Sequence, residues 1–184
     1  MQERLARTEF KGNPVRHKKI NFREFEHGII KTRMLEGETE DNEDWQVGHP
    51  VLFPNILLSG STSRPTFQIR VPVDDTHTLH LWYTCYPRGD NNGPQEVIPF
   101  YNVPVPGVDA TGEPQWALLD NNSGEDMIAW ITQGGVADRT QEALGLSDKG
   151  VILYRRQLKE QLEKVQAGQD PINVFRDPVK NVYL

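Results

Sequence analysis

The stretch "SDKGVILYRRQLKEQLEKVQAG", residues 147–168, is the strongest helix signal in the chain, and its reading decides the fold class. Val151, Tyr154, Leu158, Leu162 and Val165 recur at steps of three and four, the spacing that gathers side chains on one helical face. Gly168 stands where a C-terminal cap needs a left-handed residue, and Pro171 blocks any continuation. Such a stripe predicts burial against a neighbouring layer. The segments upstream that would supply that layer read as strands. "KKINFREFEHGIIKTRML" (18–35) predicts a hairpin turning at Glu26-His27-Gly28. "HPVLFPNILLSG" (49–60) is a nearly continuous apolar run broken by Pro54, which has no N–H for a ladder and marks a strand end, bulge or edge. "RPTFQIRVPV" (64–73) alternates, with Phe67, Ile69, Val71 and Val73 on one face and Thr66, Gln68 and Arg70 on the other. "HTLHLWYTCYP" (77–87) sets Leu79, Leu81, Tyr83 and Cys85 opposite Thr78, His80, Trp82, Thr84 and Tyr86. Strands first and one long amphipathic helix last predict the α+β class, an antiparallel sheet wrapped on that helix.

At 184 residues, 36% hydrophobic and 25% charged, the chain has the composition of one ordinary globular domain. Residues 1–17 read as a polar arm or truncated edge, and 18–184 as a single domain. A net charge of -6 argues against nucleic acid as a partner, because phosphate binding needs a basic face. No run approaches the length of a membrane span, and the first residues lack the apolar centre of a secretory signal. No membrane association and a cytoplasmic location are therefore expected. The single cysteine, Cys85, agrees with a reducing compartment and cannot by itself assemble a disulfide, a thiolate zinc site or an iron–sulfur cluster. The acidic run "EGETEDNED" (36–44) reads as a solvated loop, its spacing unlike that of a calcium loop. From Pro87 to Asn122 glycine, proline and asparagine dominate, a connection long enough to cover or gate something.

Chemistry is concentrated at "NNSGEDMIAWITQG" (121–134), where Glu125 and Asp126 head a short helix. Ser123 with Asp126 fits a capping box. On a helix Asp126, Ala129, Trp130 and Gln133 share one side and Met127, Ile128 and Ile131 cover most of the rest, which predicts burial. A carboxylate entering an apolar interior needs a counter-charge, hydrogen bonds or a metal. The stretch is thus a capped core helix or one wall of a site, and these residues alone favour the cap. Asp138 with Gln141 predicts a further capped turn. His77 and His80, three apart on a strand, point to opposite faces and do not readily share an ion. His80 beside Trp82 either lines a cavity or sits on an exposed polar face, the simpler account. His17 and His27 read as surface residues and His49 as structural. Asn55, amid Val51, Phe53 and Leu57, is either satisfied locally or aimed at a ligand. No Gly-x-Ser-x-Gly or dinucleotide loop is present.

The run "GEDMIAWITQGGVADRTQEALGLSDKGVILYRRQL" (124–158) resembles the C-terminal part of the catalytic domain of Rieske-type non-heme iron aromatic ring-hydroxylating oxygenases, alpha subunit, in the group containing phthalate dioxygenase and aromatic O-demethylases. "HPVLFPNILLSG" and "RVPVDDTHTLHLWYTCYP" are similar to the strands of that family, so the resemblance runs from about Lys18 to about Val174. It implies a helix-grip (START-like) fold, a curved antiparallel sheet around a long C-terminal helix, incomplete here at the N-terminus. It also implies that Asp126 is the carboxylate ligand of a mononuclear Fe(II), with Glu125 only its neighbour, and that Asn55, His77 and His80 are candidates for substrate contact. The implied reaction is ring hydroxylation or O-demethylation of an aromatic substrate with O2. Electrons from NAD(P)H would arrive through a separate reductase or ferredoxin and a Rieske two-iron two-sulfur cluster, in an assembly of trimers or larger rings. The cluster's cysteines and histidines and the family's two iron-binding histidines belong to segments upstream of the resembling region. The resemblance therefore implies a C-terminal fragment, inactive alone. The alternatives are a non-catalytic helix-grip domain that binds an apolar small molecule without metal, and a degenerate subunit that assembles with active partners.

Overall fold

The computed structural model describes residues 16–61, 64–86, 97–119 and 122–181, the side chains of Ser61 and Asn122 excepted. Of the N-terminal arm only Arg16 and His17 fall within that range; of the long connection, residues 87–96 and 120–121 fall outside it. The elements are β1 (His17–Phe25), β2 (Gly28–Leu35), α1 (Glu43–Gln46), β3 (His49–Leu52), β4 (Ile56–Ser61), β5 (Arg64–Pro72), β6 (Thr78–Thr84), α2 (Asn122–Ile131) and α3 (Lys149–Gln166). The six strands follow one another in a single antiparallel sheet. With the long helix at the C-terminal end, this is the α+β, helix-grip element order that the sequence predicts. Among the described residues, no helix is long and apolar enough to cross a membrane. By contacts the chain divides into two compact units, Met1–Ser59 with Gly145–Leu184, and Gly60–Leu144.

In the first unit the predicted hairpin forms, Phe25 pairing with Gly28 across Glu26 and His27. Gly28 has φ 150°, and a Cβ there would lie 2.1 Å from the Val51 carbonyl oxygen, so β3 packs where no side chain fits. Ile29, Ile30, Met34 and Phe53 form the buried core, with Pro54 in the turn after β3, as its missing N–H demands. Helix α3 packs on β2, and only part of the predicted stripe is covered, Tyr154 and Leu158 being half-buried. Val151, Leu162 and Val165 are 42%, 53% and 52% exposed, and the buried positions are Gln157 and Gln161. Gln161 is tolerated there because its Oε1 accepts a hydrogen bond from the Ile172 N–H at 2.9 Å.

The C-terminal return is fixed by Asn173, which sits at φ 68°. Its Nδ2 donates to the carbonyls of His27 (3.0 Å) and Phe53 (2.6 Å), and its Oδ1 lies 2.9 Å from His27 Nδ1. His27 is accordingly half-buried, edge-on to Phe25 and Phe175, rather than the surface residue expected of a turn. Tyr154 donates from α3 to the Pro54 carbonyl at 2.6 Å.

The acidic run is a loop stitched to its neighbours: Glu40 pairs with Lys19, and Asp44 Oδ2 accepts from Arg33 Nε at 2.7 Å. His49 Nε2 approaches Asp44 Oδ1 at 3.3 Å, without hydrogen-bond geometry. Burial raises the Asp44 carboxyl, but the bond and charge of Arg33 outweigh it and hold the group below the usual range. A carboxyl lowered on folding stabilises the native state above its unfolded pKa, and that contribution is lost as pH falls through the folded value. Asp44→Asn should therefore cost about 0.5 kcal/mol at neutral pH, since the pair is part-exposed, and nothing in strong acid. Urea unfolding at both pH values checks this; a cost that persists in acid sinks it.

The second unit begins with the β5–β6 hairpin, whose register pairs Phe67 with Tyr83, Gln68 with Trp82, Ile69 with Leu81 and Arg70 with His80. The two faces read from the alternation are thus real. Their exposure is the reverse of the simplest reading. Leu79, Leu81 and Tyr83 are 50%, 37% and 49% exposed, whereas His80, Trp82 and Thr84 are half-buried.

Candidate functional site

The covered face of β5–β6 meets α2. The start of that helix is set by Gly124, where a Cβ would lie 2.2 Å from the Leu118 carbonyl oxygen, so its first turn lies directly on the 3-10 turn Trp116–Leu118. Asn122 is already helical, so Ser123 and Asp126 lie inside the helix and do not form the expected capping box. The helix is also less buried than its composition predicts. Met127 and Gly124 are buried, while Asp126, Ala129, Trp130 and Gln133 form an exposed side, the same grouping that the helical spacing gives. The predicted turn at Asp138 forms, its side chain accepting from the Thr140 N–H.

Trp130, one turn after Asp126, reaches the strand face. Its ring centroid lies 5.5 Å from that of His80, which in turn lies 4.6 Å from Trp82. The Arg70 guanidinium carbon lies over Trp130 at 5.5 Å, and Arg70 Nη2 donates to Gln68 Oε1 at 2.9 Å. Two strands and one helix thus converge on a cluster of one cation, one imidazole and two indoles. Burial lowers the Arg70 pKa and the charge of Asp126 works against that fall. Burial, then the charge of Arg70, lowers that of His80, which favours the neutral imidazole. Its Nε2 is buried and has no hydrogen-bond partner among the described residues, a cost that an interior polar atom rarely carries unless something else meets it.

The other sequence candidates fall elsewhere. His77 is exposed and engaged in a local turn, its Nδ1 2.8 Å from Asp74 Oδ1, which also accepts from the N–H groups of Thr76 and His77. Asn55 belongs to the first unit, half-buried in the turn between β3 and β4. Asp126 presents an exposed carboxylate, but among the described residues no group of three His, Cys, Asp or Glu side chains is placed to hold a metal. These residues offer a single ligand and do not by themselves fit an iron site. Sequence reasoning missed Arg70 and Trp130 as partners of His80. The signal was available in the hairpin register, which sets Arg70 opposite His80 once the turn at residues 74–77 is recognised.

Residues 116–183 match the family described as LigXa C-terminal domain like. Over 168 residues, 90% of its length, the chain is 39% identical to the 5,5'-dehydrodivanillate O-demethylase oxygenase subunit of Sphingobium sp. (strain NBRC 103272 / SYK-6), covering 38% of that protein. It is 28% identical to the Phthalate 4,5-dioxygenase oxygenase subunit of Pseudomonas putida over 56% of this chain and 28% of the relative. It is also 28% identical to the Phenoxybenzoate dioxygenase subunit alpha of Ectopseudomonas oleovorans, over 85% of this chain and 37% of the relative. These matches make the chain similar to subunits of one O-demethylase and two dioxygenases. The LigXa-like match covers residues 116–183, and the chain spans less than two-fifths of the length of the curated relatives it matches.

Proposed function

We propose that this chain is the C-terminal part, residues 18–184, of the catalytic domain of a Rieske-type non-heme iron oxygenase. In this reading the enzyme hydroxylates an aromatic ring or removes a methyl group from an aromatic ether with O2. The similarity over 90% of the chain to an O-demethylase oxygenase subunit carries the proposal. Asp126 is the carboxylate that this chain contributes to the mononuclear iron, exposed on α2 and available to ligands supplied from outside the described residues. When bound, the iron supplies oxygen activation; this chain's residues supply one ligand and part of the substrate wall. Among the substrate candidates His80 is favoured by its buried Nε2, which has no partner among the described residues, while the local turn engages His77. The remaining parts of the proposal are the Rieske cluster on another segment, NAD(P)H-derived electrons delivered by a reductase or ferredoxin, ring-shaped oligomers and a cytoplasmic setting.

One carboxylate holds Fe(II) weakly, because affinity depends on the complete ligand set. The isolated 184-residue chain is thus expected to retain well below one iron per chain after anaerobic loading and gel filtration, and to turn over no aromatic substrate. Joined to a segment with paired Cys-x-His and Cys-x-x-His motifs and two closely spaced histidines, it is expected to retain iron. Tight stoichiometric iron on the isolated chain, measured by atomic emission, overturns the proposal. Failure of the joined protein to hold iron favours a metal-free binding domain.

A further inference from the structure

We propose that the segment 97–106, VIPFYNVPVP, is the seat on which the remainder of a longer subunit docks, so that its apolar side chains are interior in the whole protein. In this chain they lie on the surface: Ile98 is 61% exposed, Phe100 80%, Tyr101 78% and Val105 64%. None of the ten residues is charged, in a chain that is 25% charged, so the segment lacks the composition of a solvated connection. Pro99, Pro104 and Pro106 have no N–H to satisfy on burial, and they bar the segment from a central strand. Its base is tied down. Pro106 is fully buried, the Gly107 N–H donates to Gln115 Oε1 and the Gln115 N–H to the Gly107 carbonyl, both at 3.0 Å, and Val108 bridges to Pro114. An uncharged apolar segment on a tied base has the build of a docking element.

Two observations point to the occupant. The chain covers 38% of the O-demethylase oxygenase subunit, so the larger part of such a subunit lies outside the matched region. A covalently joined domain meets an exposed apolar surface ahead of separate proteins, because the tether holds it at roughly millimolar effective concentration. The uncovered side chains are also consecutive, Val97 with Ile98 and Phe100 with Tyr101. Ile98, Val103 and Val105 each precede a proline, which favours extended backbone, and successive side chains of extended backbone point to different sides. Exposure on more than one side calls for an occupant that encloses the segment, whereas a flat contact between two copies of this chain covers one side. The inference deepens the oxygenase-fragment reading and rests on its claim that this chain is one part of a longer subunit.

The experiment is maleimide labelling of Phe100→Cys in a Cys85→Ser background, with Val179→Cys as the reference position. Val179 is also 80% exposed and belongs to the other compact unit. In the isolated chain the two variants are expected to label at the same rate. In the joined protein, which carries this sequence as its C-terminal part, Phe100→Cys should label at least about tenfold more slowly than Val179→Cys. The double variant Phe100→Ser, Tyr101→Ser adds a readout that a local structural role does not give. In the isolated chain it should leave the urea midpoint unchanged, since both rings are exposed, and weaken binding of the apolar dye anilinonaphthalene sulfonate. In the joined protein it should lower the thermal midpoint by about 5 °C. Equal labelling of the two positions in the joined protein, or unchanged dye binding in the double variant of the isolated chain, overturns the inference. An isolated chain that elutes as a dimer with Phe100→Cys already protected assigns the segment to a second copy and overturns it too. Iron retention reports separately: a joined protein without iron but with Phe100→Cys protected removes the oxygenase reading and keeps the seat, and iron with unprotected Phe100→Cys does the reverse.

Discussion

Replacing Asp126 by alanine, in an oxygenase subunit that carries this sequence as its C-terminal part, is expected to reduce mononuclear iron to background. Turnover should fall by more than about 100-fold, since removing a ligand costs more than the 10–100-fold typical of groups that merely orient one. The visible absorption of the proposed two-iron two-sulfur cluster should be unchanged, because such a cluster would be held by cysteine and histidine on another segment. The structure sharpens this expectation in two ways. Asp126 lies beyond the start of α2 and caps no helix end, so its loss should leave the stability of the isolated chain within about 0.5 kcal/mol of the parent. It is also exposed, so no buried partner is orphaned when it goes. Loss of iron without loss of fold is therefore the expected signature. Full iron occupancy in the variant would assign the ligand elsewhere and leave Asp126 as an acid whose charge acts only on the Arg70 side of the cluster.

How much of this was readable from residues alone varies with the kind of information each feature needs. The alternation in β5 and β6 gave the right partition of faces, because side-chain direction in a strand depends only on parity. It could not say which face is covered, which depends on where α2 lies; hence Leu81 and Tyr83 turn out exposed and His80 and Trp82 half-buried. The same limit explains α3. Spacing located its ends and its apolar stripe, but of that stripe Tyr154 and Leu158 are half-buried and the rest exposed, while the buried positions are Gln157 and Gln161, the latter bonded to the returning C-terminal segment. At α2 the acidic pair is conspicuous, but a capping box has the same spacing as an ordinary helical turn, so spacing does not tell Ser123 and Asp126 from a cap. Arg70 carries no signal of its own in the sequence, since a lone arginine on a strand is usually solvated. Only the register with His80 and the arrival of Trp130 give it chemical meaning.

Gly28→Ala is expected to be the most destabilising single substitution in the first unit, at roughly 3 kcal/mol, combining a strained backbone angle with overpacking. The added methyl would stand 2.1 Å from the Val51 carbonyl oxygen and 3.0 Å from the Phe53 nitrogen, both backbone atoms that cannot swing aside. It would also force an L-residue to φ 150°. Relief requires β2 and β3 to separate where Gly28 pairs with Leu52, and that movement reaches the C-terminal tail. Asn173 bonds the His27 and Phe53 carbonyls on either side of this close approach, so displacing one loosens its hold on the other. The effects of Gly28→Ala and Asn173→Ala should therefore sum to more than the loss in the double variant, because each substitution releases part of what the other breaks. Urea unfolding followed by far-ultraviolet circular dichroism measures all three. A cost below about 0.5 kcal/mol for Gly28→Ala would show that the two strands part freely at the turn. Strict additivity would instead show that the tail and the turn are energetically independent despite their hydrogen bonds.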